Sequence, residues 1–249
     1  MRYALLSCFL VASTALAEKL SDGCKKPSTV INENQSVQVG GRARNFILKT
    51  PQYVPQKPHA LLIEFHGYGM NAGWMQSLAG GVEDFGGDNA IFAYLDAGKA
   101  SWDGSDDSFF DAVKFQIGQK YCIDLYQVFI AGYSNGAFYA NQLAQRRSSE
   151  IKGVIAVAGG GGGGPGLPAM VVHGRSDQFV PFTSGFETMR AWANSDGCKA
   201  PSADDGHNGC EYLWDCRAQV VWCPWGGNHD WPAWLHKDVW EFIEHVVQK

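Results

Sequence analysis

Val128-Phe129-Ile130-Ala131-Gly132-Tyr133-Ser134-Asn135-Gly136-Ala137 is the stretch on which the reading of this chain turns. Its first four residues are apolar and suit a short buried strand, and residues 137–147 beyond it have the character of a helix. Between them a serine occupies a sharp strand-to-helix turn. The glycines two residues away on each side let strand and helix approach without side-chain clashes. Such a turn strains the backbone at Ser134 and lifts its hydroxyl clear of the sheet. With 30 glycines in 249 residues, the five-residue pattern alone carries little weight. The strand before it and the helix after it supply the rest, and Ser134 is the first candidate nucleophile.

Working outward, residues 36–39 and 44–48 read as strands around the Gly40-Gly41 turn. Residues 60–65, apolar except for Glu64, suit a central strand buried on both faces. Further strands are predicted at 90–94, 154–158, 170–173 and 220–222. Helical spacing begins near residue 74 and recurs at 108–121, 184–193 and 234–247. This alternation predicts one α/β domain over residues 18–249, a mostly parallel sheet with helices on both faces and no large lid. Right-handed crossovers place the loop-bearing strand ends, and so the active site, along one edge. The run Gly159 to Gly164 before Pro165 is neither helix nor strand interior. No Gly-Lys-Ser/Thr follows it, so it is not a phosphate cradle. It reads either as a loop lining the cleft or as a plain connection.

A serine hydroxyl is a poor nucleophile at neutral pH and needs a base, which in turn needs an orienting carboxylate. Where the serine stands on such a turn, the partners follow in the order serine, acid, histidine. Of the seven histidines only His229, His236 and His245 lie beyond the last predicted strand, and the latter two fall in the terminal helix. His229, in the loop Gly226 to Pro232, is the candidate base. Asp177 is the only carboxylate between the strand at 170–173 and the next helix, and is the candidate acid. Asp103, Asp106 and Asp107 precede the serine and break the order. For the oxyanion, the backbone N–H of Asn135 is one donor and the N–H of Tyr68, in His66-Gly67-Tyr68-Gly69, the other. His66 is read as a structural residue of that turn.

The formal charge is −5 and the basic residues are scattered, which argues against a nucleic-acid partner. Nothing beyond the N-terminus is apolar for long enough to span a bilayer. Arg2, the apolar residues 3–16 and the ending Ala15-Leu16-Ala17 predict a signal peptide over residues 1–17 and a secreted chain from Glu18. Its removal takes Cys8 and leaves six cysteines, 24, 122, 198, 210, 216 and 223. Three disulfides are expected, in any of fifteen pairings. Zinc held by Cys210 and Cys216 is the weaker alternative, since their spacing is wrong for a structural pair. Asn34-Gln35-Ser36 is a glycosylation acceptor if the host is a eukaryote.

Taken together these residues resemble a known group, the secreted feruloyl esterases and related polyhydroxybutyrate depolymerases of the α/β-hydrolase fold, in carbohydrate esterase family one and its neighbours. The resemblance rests on Gly23-Cys24, Phe65-His66-Gly67, Trp102 with Asp106-Asp107, Tyr121-Cys122-Ile123-Asp124, the serine turn, His173-Gly174 with Asp177 and Val180-Pro181, and Trp222-Cys223-Pro224 leading to His229 and Trp231-Pro232. It implies Ser134, Asp177 and His229 as the triad, with no metal or organic cofactor. The expected substrate is a feruloyl ester on plant cell-wall arabinoxylan, cleaved by a monomer. Trp102, Tyr68, Tyr133 and Trp231 lie on or beside the site loops and could stack on a phenolic acyl group, with Trp102, Tyr133 and Trp231 the expected substrate-binding aromatics. Acetylated xylan or poly(3-hydroxybutyrate) is the alternative substrate, and an inactive polymer-binding protein the alternative of another class. Binding to insoluble material through an accessory module is not expected.

Overall fold

A computed structural model describes residues 18–28, 32–164, 166–199 and 207–248. The predicted signal peptide lies outside them. Among the described residues nine strands form one sheet: β1 (Asn32–Val39), β2 (Arg42–Lys49), β3 (His59–Phe65), β4 (Ala90–Leu95), β5 (Ile123–Tyr133), β6 (Gly153–Val157), β7 (Ala169–Gly174), β8 (Glu211–Tyr212) and β9 (Val220–Trp225). Their order across the sheet is β1-β2-β4-β3-β5-β6-β7-β9-β8. The six strands from β4 to β9 in that order run parallel, while β1, β2 and β8 are antiparallel additions at the two edges. The chain builds β4 on one side of β3 and then β5, β6, β7 and β9 on the other. The order therefore reverses between β3 and β5, and in open α/β sheets the crevice beyond the strand ends at such a point receives the ligand.

Six α-helices of the described residues cover the sheet: α1 (Ala72–Ala79), α2 (Val82–Gly86), α3 (Asp107–Lys120), α4 (Asn135–Arg146), α5 (Phe182–Asp196) and α6 (Leu235–Val247). Alternate residues of β3 divide between two cores. Leu61, Ile63 and Phe65 pack with α3, α4 and α5, whereas Ala60 and Leu62 pack with α1, α2 and α6. The single α/β domain expected from the sequence is what forms. Every predicted strand and helix is present, most of them extended at one or both ends, while Ala158, Arg147, Tyr121 and Trp234 fall just outside the elements predicted to hold them. The two-residue β8 and the five-residue α2 were not predicted, each being too short to show a period.

Three disulfides close the chain, Cys24–Cys122, Cys198–Cys216 and Cys210–Cys223. With their sulfurs joined elsewhere, Cys210 and Cys216 form no zinc pair. The first bridge spans 98 residues and fastens the amino-terminal segment to the start of β5, at the end of the sheet away from the serine. A closed loop of that length is worth roughly 4–5 kcal/mol in the chain-entropy account. No helix among the described residues is long and apolar enough to cross a membrane.

The one charged residue type in the β3 run, Glu64, is fully buried and neither carboxyl oxygen has a hydrogen-bond partner. The nearby Tyr94 hydroxyl donates instead to Glu83 Oε1 at 2.8 Å. Burial, reinforced by the charge of Glu83, holds the Glu64 carboxyl well above its ordinary value. A group raised on folding favours the native state fully below its unfolded pKa, and that contribution is lost as pH rises toward the folded value. Glu64→Gln removes the proton linkage. The stability of the variant relative to the native protein should therefore climb by about 1.4 kcal/mol per pH unit above the ordinary carboxylate range. Urea unfolding at several pH values measures this directly, and parallel pH profiles would show that Glu64 is not proton-linked.

Candidate active site

Ser134 adopts φ 54° and ψ −117°, a backbone conformation that L residues rarely hold, between the end of β5 and the first residue of α4. A Cβ on Gly132 would lie 2.1 Å from the Gly136 carbonyl oxygen, and one on Gly136 would lie 2.1 Å from the Phe65 carbonyl oxygen. The turn is therefore closed to any side chain at either position. Its strain is held by the Ser134 N–H donating to the Val157 carbonyl at 2.9 Å and by the start of α4, whose Ala137 N–H donates to the Ser134 carbonyl at 3.0 Å.

The structure brings Ser134, His229 and Asp177 into one hydrogen-bonded chain. The Ser134 hydroxyl donates to His229 Nε2 at 2.8 Å, and His229 Nδ1–H donates to Asp177 Oδ2 at 2.7 Å. The other oxygen, Asp177 Oδ1, accepts from the Phe179 and Val180 backbone N–H groups at 2.9 Å each. Burial acts to raise the Asp177 carboxyl, but the bonds from His229, Val180 and Phe179 outweigh it and hold the group below its ordinary value, so it is ionised. Such an arrangement can draw the serine proton to the imidazole and stabilise the imidazolium that results. Beneath it, His173 Nε2–H donates to the Val180 carbonyl at 2.9 Å, and burial lowers the His173 pKa so that this ring stays neutral. Of the earlier aspartates, Asp103 and Asp106 pair with Lys99 and Asp107 with Arg146.

Two backbone bonds lash the acid and base loops together. Arg175 N–H donates to the Trp225 carbonyl at 2.7 Å, and Ser176 N–H to the Gly227 carbonyl at 3.0 Å. The approach is close enough that a Cβ on Gly174 would lie 2.2 Å from the Asn228 carbonyl oxygen.

Across the β3/β5 junction, the Tyr68 and Asn135 N–H groups donate to no backbone acceptor among the described residues. Their surroundings are braced. His66 Nδ1–H donates to the Gly67 carbonyl at 2.7 Å while Nε2 accepts from the Ala97 N–H at 3.1 Å, which fixes one neutral tautomer; burial lowers its pKa. Trp102 Nε1–H donates to the His66 carbonyl at 2.9 Å, and the Trp102 N–H donates to Asn135 Oδ1 at 2.8 Å.

Among curated proteins, the chain is 29% identical over 243 residues to "Probable feruloyl esterase C" of Aspergillus niger, covering 89% of this chain and 87% of that protein. It is 30% identical over 232 residues to the protein of the same name from Aspergillus flavus, covering 84% and 83%. The chain belongs to the feruloyl esterase C family. No family model matches the chain. Among solved structures, an acetyl xylan esterase from Aspergillus awamori superposes with a TM-score of 0.65 at 18% identity, over 85% of this chain and 99% of that one, a likeness of fold.

The aromatics of this feruloyl esterase C relative are not arranged as its sequence suggested. Trp102 is 5% exposed, stacked on Tyr139 and edge-on to Phe65, so it supports the turn at His66 rather than presenting a face to substrate. Tyr133 is also 5% exposed, and its hydroxyl donates to the His229 carbonyl at 2.9 Å. Burial, with the charges of Asp230 and Asp177, pushes its pKa up to about 12, so it remains a neutral donor. Trp231 is 4% exposed and packs in the core with α6. The Trp102 and Tyr133 rings satisfy their polar handles inside, and position on a loop does not say which way a ring turns. On the loops after β3 and β7, Tyr68 and Phe179 are by contrast exposed, at 70% and 82%. Phe179 was missed; its place two residues after the candidate acid was the available signal. The glycine run packs between α4 and α5, against Phe138 on one side and Trp192 and Ala191 on the other, and the Gly160 carbonyl accepts from Asn141 Nδ2 at 3.0 Å. Gly160 to Gly162 line a shallow depression with Phe138, Ser184 and Thr188.

Proposed function

We propose that this chain is a secreted, monomeric carboxylic-ester hydrolase that cleaves feruloyl esters of plant cell-wall polysaccharide with Ser134, His229 and Asp177 as its triad. The observation that carries the reading is the continuous hydrogen-bonded chain from the Ser134 hydroxyl through His229 to Asp177, in a member of the feruloyl esterase C family. His229 takes the serine proton as Oγ attacks the ester carbonyl. The Tyr68 and Asn135 N–H groups receive the oxyanion, each such donor being worth roughly 3 kcal/mol in the transition state. His229 then gives its proton to the departing alcohol, and water activated by the same imidazole releases the acid from the acyl-enzyme. No step calls for a metal or an organic cofactor. Three disulfides support an oxidising destination, with residues 1–17 as the signal peptide and 18–249 as the esterase domain.

Initial rates on methyl ferulate, acetylated xylan and a hydroxybutyrate oligomer test the substrate. The expected result is a kcat/KM on methyl ferulate at least tenfold above that on either alternative, a margin of about 1.4 kcal/mol. Preference for the acetyl or hydroxybutyryl ester would overturn the feruloyl reading while leaving the serine chemistry in place.

A further inference from the structure

Phe179 is the most exposed large apolar side chain of the described residues, at 82%, yet its backbone is firmly held. Its N–H donates to Asp177 Oδ1 at 2.9 Å, so the turn that presents the ring is the one that fixes the acid. The ring lies 5.3 Å from the His229 imidazole, centroid to centroid, with the planes tilted by 50°. Tyr133 is the other aromatic neighbour of that imidazole, at 5.1 Å, and is buried. Phe179 is thus the aromatic wall of the imidazole on its solvent side.

The chemistry of the triad says which part of an ester meets that wall. His229 Nε2 must reach the departing alcohol oxygen to protonate it, so the alcohol portion leaves along the imidazole. The oxyanion points to the Tyr68 and Asn135 amides, on the β3 side of Ser134. A rigid, solvent-facing phenyl ring beside the base is then a surface for the alcohol and not for the acyl group. The apolar C–H face of a pyranose or furanose ring is a natural occupant, because stacking removes both apolar faces from water while the sugar hydroxyls stay solvated. We propose that Phe179 is a stacking subsite for the sugar that carries the acyl group, setting preference for saccharide esters over simple alkyl esters.

This inference rests on the feruloyl reading above, and the test separates the two. Native protein, Phe179→Ala and Phe179→Trp are compared on two substrates with the same acyl group, methyl ferulate and a feruloylated arabinoxylo-oligosaccharide, with p-nitrophenyl acetate as a third. Both variants retain the backbone N–H that Asp177 accepts. For Phe179→Ala, kcat/KM on the oligosaccharide should fall about tenfold, the scale of losing one aromatic contact, and the loss should lie in KM. Methyl ferulate should change less than about twofold, and Phe179→Trp should retain the oligosaccharide rate. An equal loss on both feruloyl substrates, expressed in kcat, would show that Phe179 only positions His229 and would overturn the proposal. Unchanged rates on both would overturn it as well. A native protein that cleaves p-nitrophenyl acetate but neither feruloyl ester would remove the feruloyl reading, and this proposal with it.

Discussion

Replacing Ser134 by Ala should lower kcat by roughly 10⁵- to 10⁶-fold while leaving the fold and the His229–Asp177 bond in place. The hydroxyl is the only atom lost, and Ala suffers the same backbone strain at φ 54° that Ser does. Labelling by a serine-directed fluorophosphonate should disappear in the same variant. A retained adduct, or a measurable acyl-enzyme, would place the nucleophile elsewhere. Ser134→Gly provides an internal control on the strain. It should be equally inactive yet more stable than Ser134→Ala by about 1 kcal/mol, because glycine holds a positive φ without a Cβ penalty. Thermal unfolding of the two variants side by side measures the difference.

Asp177→Asn should cost about 10⁴ in kcat, or about 5 kcal/mol of transition-state stabilisation. The geometry explains why so small a change does so much. Oδ1 accepts two backbone N–H groups, from Phe179 and Val180, so an asparagine must turn its carbonyl oxygen to them. Its NH₂ is then presented to His229 Nδ1, which can only accept from it as the unprotonated nitrogen. The ring proton moves to Nε2, and the nitrogen that faces the Ser134 hydroxyl can no longer take its proton. Circular dichroism should show an intact fold and nitrogen-resolved NMR a changed His229 tautomer. A variant within tenfold of native activity would remove Asp177 from the proton relay.

Much of this was legible because the relevant signals are local. The apolar run before Ser134, the paired glycines and the helix after it encode one turn, and the parallel strands of the sheet follow largely apolar stretches. The serine, acid, histidine order then singled out Asp177 and His229 from 25 acidic residues and seven histidines. What was not legible depends on contacts distant in the chain. Cys24 meets Cys122 across 98 residues, a pairing no spacing reveals. Trp102, Tyr133 and Trp231 sit on the expected loops, but their depth is set by partners such as Tyr139 and the His229 carbonyl, on elements far away in sequence. Phe179 escaped notice for the converse reason. An apolar residue in a loop is normally read as one that turns inward, and its place two residues after the candidate acid, the one signal to the contrary, does not give its exposure.

The bonds between the β7 and β9 loops divide the machinery unevenly. Carboxylate and imidazole travel as one cartridge, whereas the hydroxyl stands on β5, with β6 and its glycine-rich tail intervening. Across the seam between cartridge and hydroxyl run the Ser134–His229 bond and the bond from the Tyr133 hydroxyl to the His229 carbonyl, and breathing of the domain is expected to loosen these before the link between His229 and Asp177. Reversible inactivation by mild heat or cosolvent should accordingly stretch one bond of the relay while the other survives, and restoring activity should require only that the seam close.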